Sequence, residues 1–155
     1  MQKLLKISLL ILWCLLIFMF SGESGDKSAG RSQVITNNAV DKYEEVFDKE
    51  VEDRDKVVDK LEVVIRKSAH FGLFFVLGIL AFINFNDFDI SVKKKIIYSL
   101  LFCICYAISD ELHQLFVSER GSKVMDVFID SLGSLTGITI VWFILNKFKY
   151  KFRLN

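Results

Sequence analysis

The sequence predicts an all-α, polytopic membrane protein with four transmembrane helices and an amphipathic helix outside the membrane before the second crossing. Three observations predict it. Of 155 residues, 52% are apolar and 14% aromatic, with positive mean hydropathy. The apolar residues are gathered into four runs, at about 4–20, 66–85, 96–117 and 124–146, each near the roughly 20 residues that span a bilayer as a helix. A soluble bundle would show a polar face along every helix, whereas Leu4–Phe20 has only Lys6 and Ser8 as polar interruptions. The chain, 1–155, has about one domain's length and reads as a single membrane domain. Net charge is +1, which gives no reason to expect a nucleic acid partner. There is no proline, so nothing marks a kinked or unwound transporter helix.

The first run follows Lys3 and includes Lys6, as a signal peptide would, but it is long for an h-region and no A-x-A cleavage site follows. An uncleaved helix is expected. Next comes a loop at 21–65. Its start, SGESGDKSAGRSQ, is rich in Ser and Gly and is expected to be flexible. From about Val40, the residues Val40, Tyr43, Phe47, Val51, Val58, Leu61 and Ile65 follow one helical stripe among Asp, Glu and Lys. That pattern predicts an amphipathic helix resting on the membrane surface or on the bundle. Cys14, Cys103 and Cys105 lie within apolar runs and are expected to be small buried hydrophobes. A Cys-x-Cys pair on a helix directs its sulfurs to different faces.

Three short basic clusters flank the runs: Lys3/Lys6, Lys93–Lys95, and Lys147, Lys149, Lys151 and Arg153. With four crossings all three fall on one side, and the positive-inside rule makes that side cytoplasmic. Both termini are then cytoplasmic and loop 21–65 is extracellular. Eleven acidic residues from Glu23 to Asp59 offset the lysines of that loop.

The costly residues are polar groups inside apolar runs. Lys67 and His70 stand at the outer start of the second crossing, Asp110, Glu111 and Gln114 near the outer end of the third, Arg120 in the next loop, and Asp126 and Asp130 at the start of the fourth. Alternating helix directions bring all of them to one leaflet. Spacing sharpens the convergence. Lys67, His70 and Phe74 share a face; so do Ser99, Cys103, Tyr106, Asp110 and Gln114; so do Asp126, Asp130, Gly133 and Gly137. The G-x-x-x-G at 133–137 permits close helix approach. The bland account is a set of interhelical ion pairs that fix the fold. So many charges on three helices point instead to a pocket, because each costs at least a few kcal/mol in hydrocarbon.

Taken in order, Arg66-Lys67-Ser68-Ala69-His70-Phe71, Ser109-Asp110-Glu111-x-x-Gln114, Arg120-Gly121, and Asp126-x-x-x-Asp130 with Gly133 and Gly137 resemble the VanZ-like family of bacterial membrane proteins. The likeness runs from about residue 5 to 145. Asp130 stands where the family commonly has Asn. The resemblance implies a bacterial cytoplasmic membrane and a cell-envelope role, since the founding member is linked to low-level resistance to the glycopeptide teicoplanin. It supplies no catalytic residue.

The expected function is therefore binding of a lipid-linked or amphiphilic ligand at an outer-leaflet pocket formed by Lys67, His70, Asp110, Glu111, Gln114, Arg120, Asp126 and Asp130, with a contribution to glycopeptide resistance. Lys67 and Arg120 would meet phosphate or carboxylate, and Phe71, Phe74 and Phe75 would suit acyl chains. The partners are membrane lipids and a lipid-linked cell-wall precursor or lipophilic drug. Two other classes stay open. One is an intramembrane enzyme with His70 as acid or base, and Asp110 or Glu111 orienting it or holding a metal. The other is a small transporter or flippase subunit. No cofactor or metal is expected, because no H-x-x-x-H or H-x-x-E-H spacing occurs. His113 could join the pocket or sit at the interface.

Overall fold

The structure, a computed structural model, describes residues 2–118 and 123–153, with 148–153 as backbone only. Among them are five helices and no strand: α1 (Gln2–Ser21), α2 (Gly25–Phe47), α3 (Arg54–Phe85), α4 (Val92–Gln114) and α5 (Val124–Arg153). Four of these, α1, α3, α4 and α5, are long and apolar enough to cross a membrane.

The distribution of polarity is that of a membrane bundle. Large apolar side chains such as Leu4, Leu12, Met19 and Phe143 are exposed on the outside, while Ser99, Asp110, Glu111, Gln114, Asp130 and Ser134 are buried. Lipid is as apolar as leucine, so an outward leucine costs nothing there, and polar groups must satisfy one another inside. The apolar core is small: Ile17, Phe74, Leu77, Ala81, Cys103 and Ala107 form one cluster, and Phe82, Ile138 and Val141 a second.

Contacts along the chain fix the directions. Lys6 pairs with Asp87 at 2.6 Å, and Trp13 Nε1 donates to the Leu73 carbonyl at 2.9 Å, so α1 and α3 run antiparallel. Tyr106 donates to the Cys14 carbonyl at 2.6 Å, and His113 stacks on Phe18 at 4.2 Å, so α1 and α4 run parallel. On α3 and α5, Lys67 meets Asp126, His70 meets Asp130, and Phe74 meets Ser134, so these two also run parallel. The four long helices therefore alternate. The α3–α4 turn lies beside the start of α1. At the other end, the Gly25 amide donates to the Ser118 carbonyl at 3.1 Å, joining the α1–α2 and α4–α5 connections.

The α3–α5 contact is the most extensive between elements, and small residues make it so. A Cβ built on Gly133 would lie 2.4 Å from the Phe71 carbonyl oxygen, on Gly137 2.1 Å from that of Phe75, and on Gly78 2.3 Å from that of Ser134. Only glycine lets these backbones approach so closely.

Several sequence expectations need correction. The Ser/Gly-rich start of the loop is not irregular, because α2 begins at Gly25. Ser28, Ser32 and Thr36 fall on one face, and the Ser32 and Thr36 hydroxyls bond back to the carbonyls four residues earlier. The stripe from Val40 to Ile65 is not one helix. It breaks at 48–53, where Asp48 and Asp53 take left-handed backbone (φ 47° and 53°), a conformation Asp tolerates better than most residues. The chain then folds back, and Arg54 bridges Asp41 and Glu44 across the turn. The second crossing starts as part of a longer helix, since α3 has 32 residues, about 48 Å at a 1.5 Å rise against a hydrocarbon core of about 30 Å. The third spans Val92–Gln114 rather than 96–117. Of the cysteines only Cys103 is buried; Cys14 is half-buried and Cys105 exposed.

Candidate functional site

The polar residues of the spans gather at the end of the bundle opposite the α3–α4 turn, in the mouth where α3, α4 and α5 meet. From α3 come Lys67 and His70, one turn apart. From α4 come Asp110, Glu111 and Gln114, all buried, with Asp110 and Glu111 at 3% exposure. From α5 come Asp126 and Asp130, the latter fully buried. Arg120 lies outside the described residues, as do Glu119 and Gly121.

Within this set the groups divide by depth. Lys67 Nζ lies 3.6 Å from Asp126 Oδ1, both side chains about a third exposed. Such a half-wet pair contributes at most about 1 kcal/mol. One turn deeper, His70 Nδ1 lies 3.8 Å from Asp130 Oδ2, close enough to interact and too far for a hydrogen bond. Asp110 Oδ2 accepts from Gln114 Nε2 at 3.0 Å, an i,i+4 bond along α4 that fixes the carboxylate's orientation. Glu111 Oε2 accepts from the Lys123 amide at 2.9 Å. That bond fastens the end of α4 to the start of α5.

One atom each from His70, Asp110 and Asp130 lie within 4.8 Å of one another. Three helices thus deliver an imidazole and two buried carboxylates to one point. The sequence places all three in the same mouth with Lys67, Glu111, Gln114 and Asp126, but spacing alone does not single out these three as the closest set. The sequence reading also missed Ser134, four residues on from Asp130 in the same stripe. It is fully buried, and its hydroxyl bonds with the Phe74 carbonyl at 3.2 Å and the Asp130 carbonyl at 3.0 Å. That pins Asp130's helix to His70's.

The sequence leaves His113 open between pocket and interface; the structure packs its ring on Phe18 of α1 with 17° between planes. Phe74 is fully buried in the core, so it offers no surface to an acyl chain. The apolar surface beside the cluster is instead a groove of about 430 Å³ between α1, α2 and α3. Trp13, Phe20, Ile35, Ile65, Leu73 and Val76 supply its apolar wall, Arg31 and Arg66 lie along it, and His70 stands at its margin. His70 therefore borders both the groove and the carboxylates. From sequence Arg66 enters only as part of the family string and Arg31 only as part of the Ser/Gly-rich stretch, so neither is assigned there to a binding surface.

An α-helical bundle of four apolar spans, apolar outside and polar within, defines a multi-pass membrane protein with a polar cluster between its helices. The chain belongs to the VanZ/LLP1 family, whose model matches residues 6–146. At the level of the family there is a link to glycopeptide resistance. No curated protein and no solved structure matches the chain.

Proposed function

We propose that this protein binds a lipid-linked or lipophilic ligand of the cell envelope, with the ligand's polar head at the cluster of Lys67, His70, Asp110, Glu111, Gln114, Asp126 and Asp130 and its apolar chain along the α1–α2–α3 groove. The observation that carries this reading is the continuity of the two surfaces at His70, which borders the groove and also faces Asp130. An amphiphile needs that combination. Apolar walls bury the chain, and a few polar groups at one end orient the head. Arg66 would add cationic character near the head, with Arg120 from the neighbouring loop, whereas Arg31 is paired with Glu23 at the groove's edge. Both termini are placed in the cytoplasm, which puts the groove and cluster at the outer leaflet. The positive-inside rule supports this orientation, since the start of α1, with Lys3 and Lys6, and the start of α4, with Lys93–Lys95, share one end of the bundle. Teicoplanin-type resistance would then follow from holding the drug or its lipid-linked target at that leaflet.

The test is lipid retention. Protein purified in a mild detergent should carry a polyprenyl-linked or anionic lipid detectable by mass spectrometry of the extracted complex. Val76→Trp, which fills the groove from its wall, should lose that lipid while remaining folded. Equal retention by both proteins overturns the reading.

A second reading has one observation in its favour. The pairing of His70 with a fully buried Asp130 resembles an oriented acid–base group, so an intramembrane enzyme acting on the same ligand is the alternative. Turnover of a lipid-linked envelope substrate that disappears in His70→Gln would favour it over binding alone.

A further inference from the structure

We propose that His70, Asp110 and Asp130 form a binding site for a divalent transition-metal cation, with zinc or manganese as the ions whose chemistry fits. Two independent observations carry this. The first is geometric: donor atoms from three different helices lie within 4.8 Å of one another. The second is a pair of buried carboxylates with oxygens left without a hydrogen bond. Asp110 Oδ1 and both carboxylate oxygens of Asp130 are buried and have no hydrogen-bond partner among the described residues, in side chains that are 3% and 0% exposed. An ionised carboxylate in hydrocarbon costs several kcal/mol unless something compensates it. Lys67 is engaged one turn higher, with Asp126. Two carboxylates and one imidazole carry up to two negative charges, the charge a divalent ion offsets.

The distances agree with shared ligation better than with direct bonding. His70 and Asp130 approach to 3.8 Å, beyond hydrogen-bond reach. Metal–ligand bonds of about 2.0–2.2 Å place neighbouring donors about 3–3.5 Å apart around one ion. A closure of under an ångström therefore brings this pair to the spacing of two ligands on one ion. The surroundings are built to hold such a site. Gln114 orients the Asp110 carboxylate, the kind of outer-shell bond that fixes a ligand, and the glycine contacts of α3 with α5 hold His70 against Asp130. The donor set selects the ion. Imidazole with carboxylates suits zinc or manganese, whereas calcium wants six to eight oxygens and magnesium keeps most of its waters. Three protein donors leave coordination positions open toward the cluster's mouth.

The experiment uses the full chain in detergent, stripped with chelator and titrated with Zn²⁺, with bound metal counted after desalting. About one Zn²⁺ per chain is expected, with Mn²⁺ competing and Mg²⁺ not. His70→Ala, Asp110→Asn and Asp130→Asn should each weaken binding at least about tenfold. His113→Ala, whose ring lies on Phe18, should not. In case Asp130→Asn fails to fold, the Zn²⁺-dependent rise in melting temperature of the wild-type chain, absent in His70→Ala, reads the same site. Wild-type protein that retains no stoichiometric zinc or manganese overturns the proposal, as does retention unchanged in Asp110→Asn and His70→Ala. This assignment is judged by metal and the ligand reading by lipid, so either can fail alone.

Discussion

Gly137 lies so close to Phe75 that a Cβ on the glycine would sit 2.1 Å from the phenylalanine's carbonyl oxygen. Backbone meets backbone there, and no side-chain rotation relieves the overlap. The same contact recurs one turn earlier, where Gly133 faces Phe71. This seam sets the distance between α3 and α5 and with it the distance from His70 to Asp130.

Alanine substitution should therefore divide by position. In an open helix Gly→Ala stabilises by about 1 kcal/mol through backbone entropy. Gly72 has nothing within 4 Å of its would-be Cβ, so Gly72→Ala should leave the melting temperature unchanged or raised. Gly137→Ala and Gly78→Ala should destabilise by about 1–3 kcal/mol, the usual cost of overpacking. Thermal unfolding in detergent measures all three, and a stabilised Gly137→Ala would mean the helices slide apart at no cost.

Arg54 should matter for the hairpin and not for the bundle. It bridges Asp41 and Glu44, and Glu44 also accepts from the Val51 amide at 2.9 Å. Removing it with Arg54→Ala should speed hydrogen exchange at 44–56 and leave α4 and α5 as protected as before. The hydrogen-exchange map checks this directly, and loosening that reached α5 would show that the hairpin braces the whole bundle.

The seams were legible because helical spacing is a local property. Ser99, Cys103, Asp110 and Gln114 are all buried, as the three- and four-residue intervals on α4 require. The convergence at one mouth was legible too, since it needs only an even alternation of directions. The turn at 48–53 was not, because no Gly or Pro marks it and the apolar stripe continues through it; left-handed Asp48 and Asp53 make the bend. The helix at Gly25 was hidden by Ser and Gly, which disfavour helix locally; packing on α3, through buried Ser32, Thr36 and Val40, overrides that preference. That His70, Asp110 and Asp130 share this mouth was legible; that these three, among all the polar groups there, come within 4.8 Å of one another was not, because only the packing of three helices sets those distances.

Topology gives a prediction that separates span number from orientation. In a cysteine-free background, a cysteine at Gly30 or Gly121 should react with a membrane-impermeant thiol reagent in intact cells, while one at position 90 or 152 should not. Gly30 is a suitable site because its would-be Cβ meets nothing within 4 Å. Labelling at 90 and 152 alone would invert the orientation and leave the cluster together at the opposite face. A mixed pattern would break the four-span count.

The strongest functional prediction concerns charge at the cluster. If the protein lowers glycopeptide susceptibility as proposed, Lys67→Ala, Asp110→Asn and Arg120→Ala should each abolish that effect at unchanged membrane abundance. Asp110→Asn is the most informative, since it keeps the shape and much of the hydrogen bonding and removes only the negative charge. The control must lie away from both groove and cluster. Deleting 24–38 would not serve, because Ser28, Arg31, Ser32 and Ile35 of α2 line the groove, and that deletion should also abolish the effect. Glu52→Ala at the distal α2–α3 turn is the better choice and should leave the effect whole. Susceptibility measured beside immunoblots of the membrane fraction decides the matter. If the three cluster variants protect as well as wild type, the charges serve only to hold the helices together.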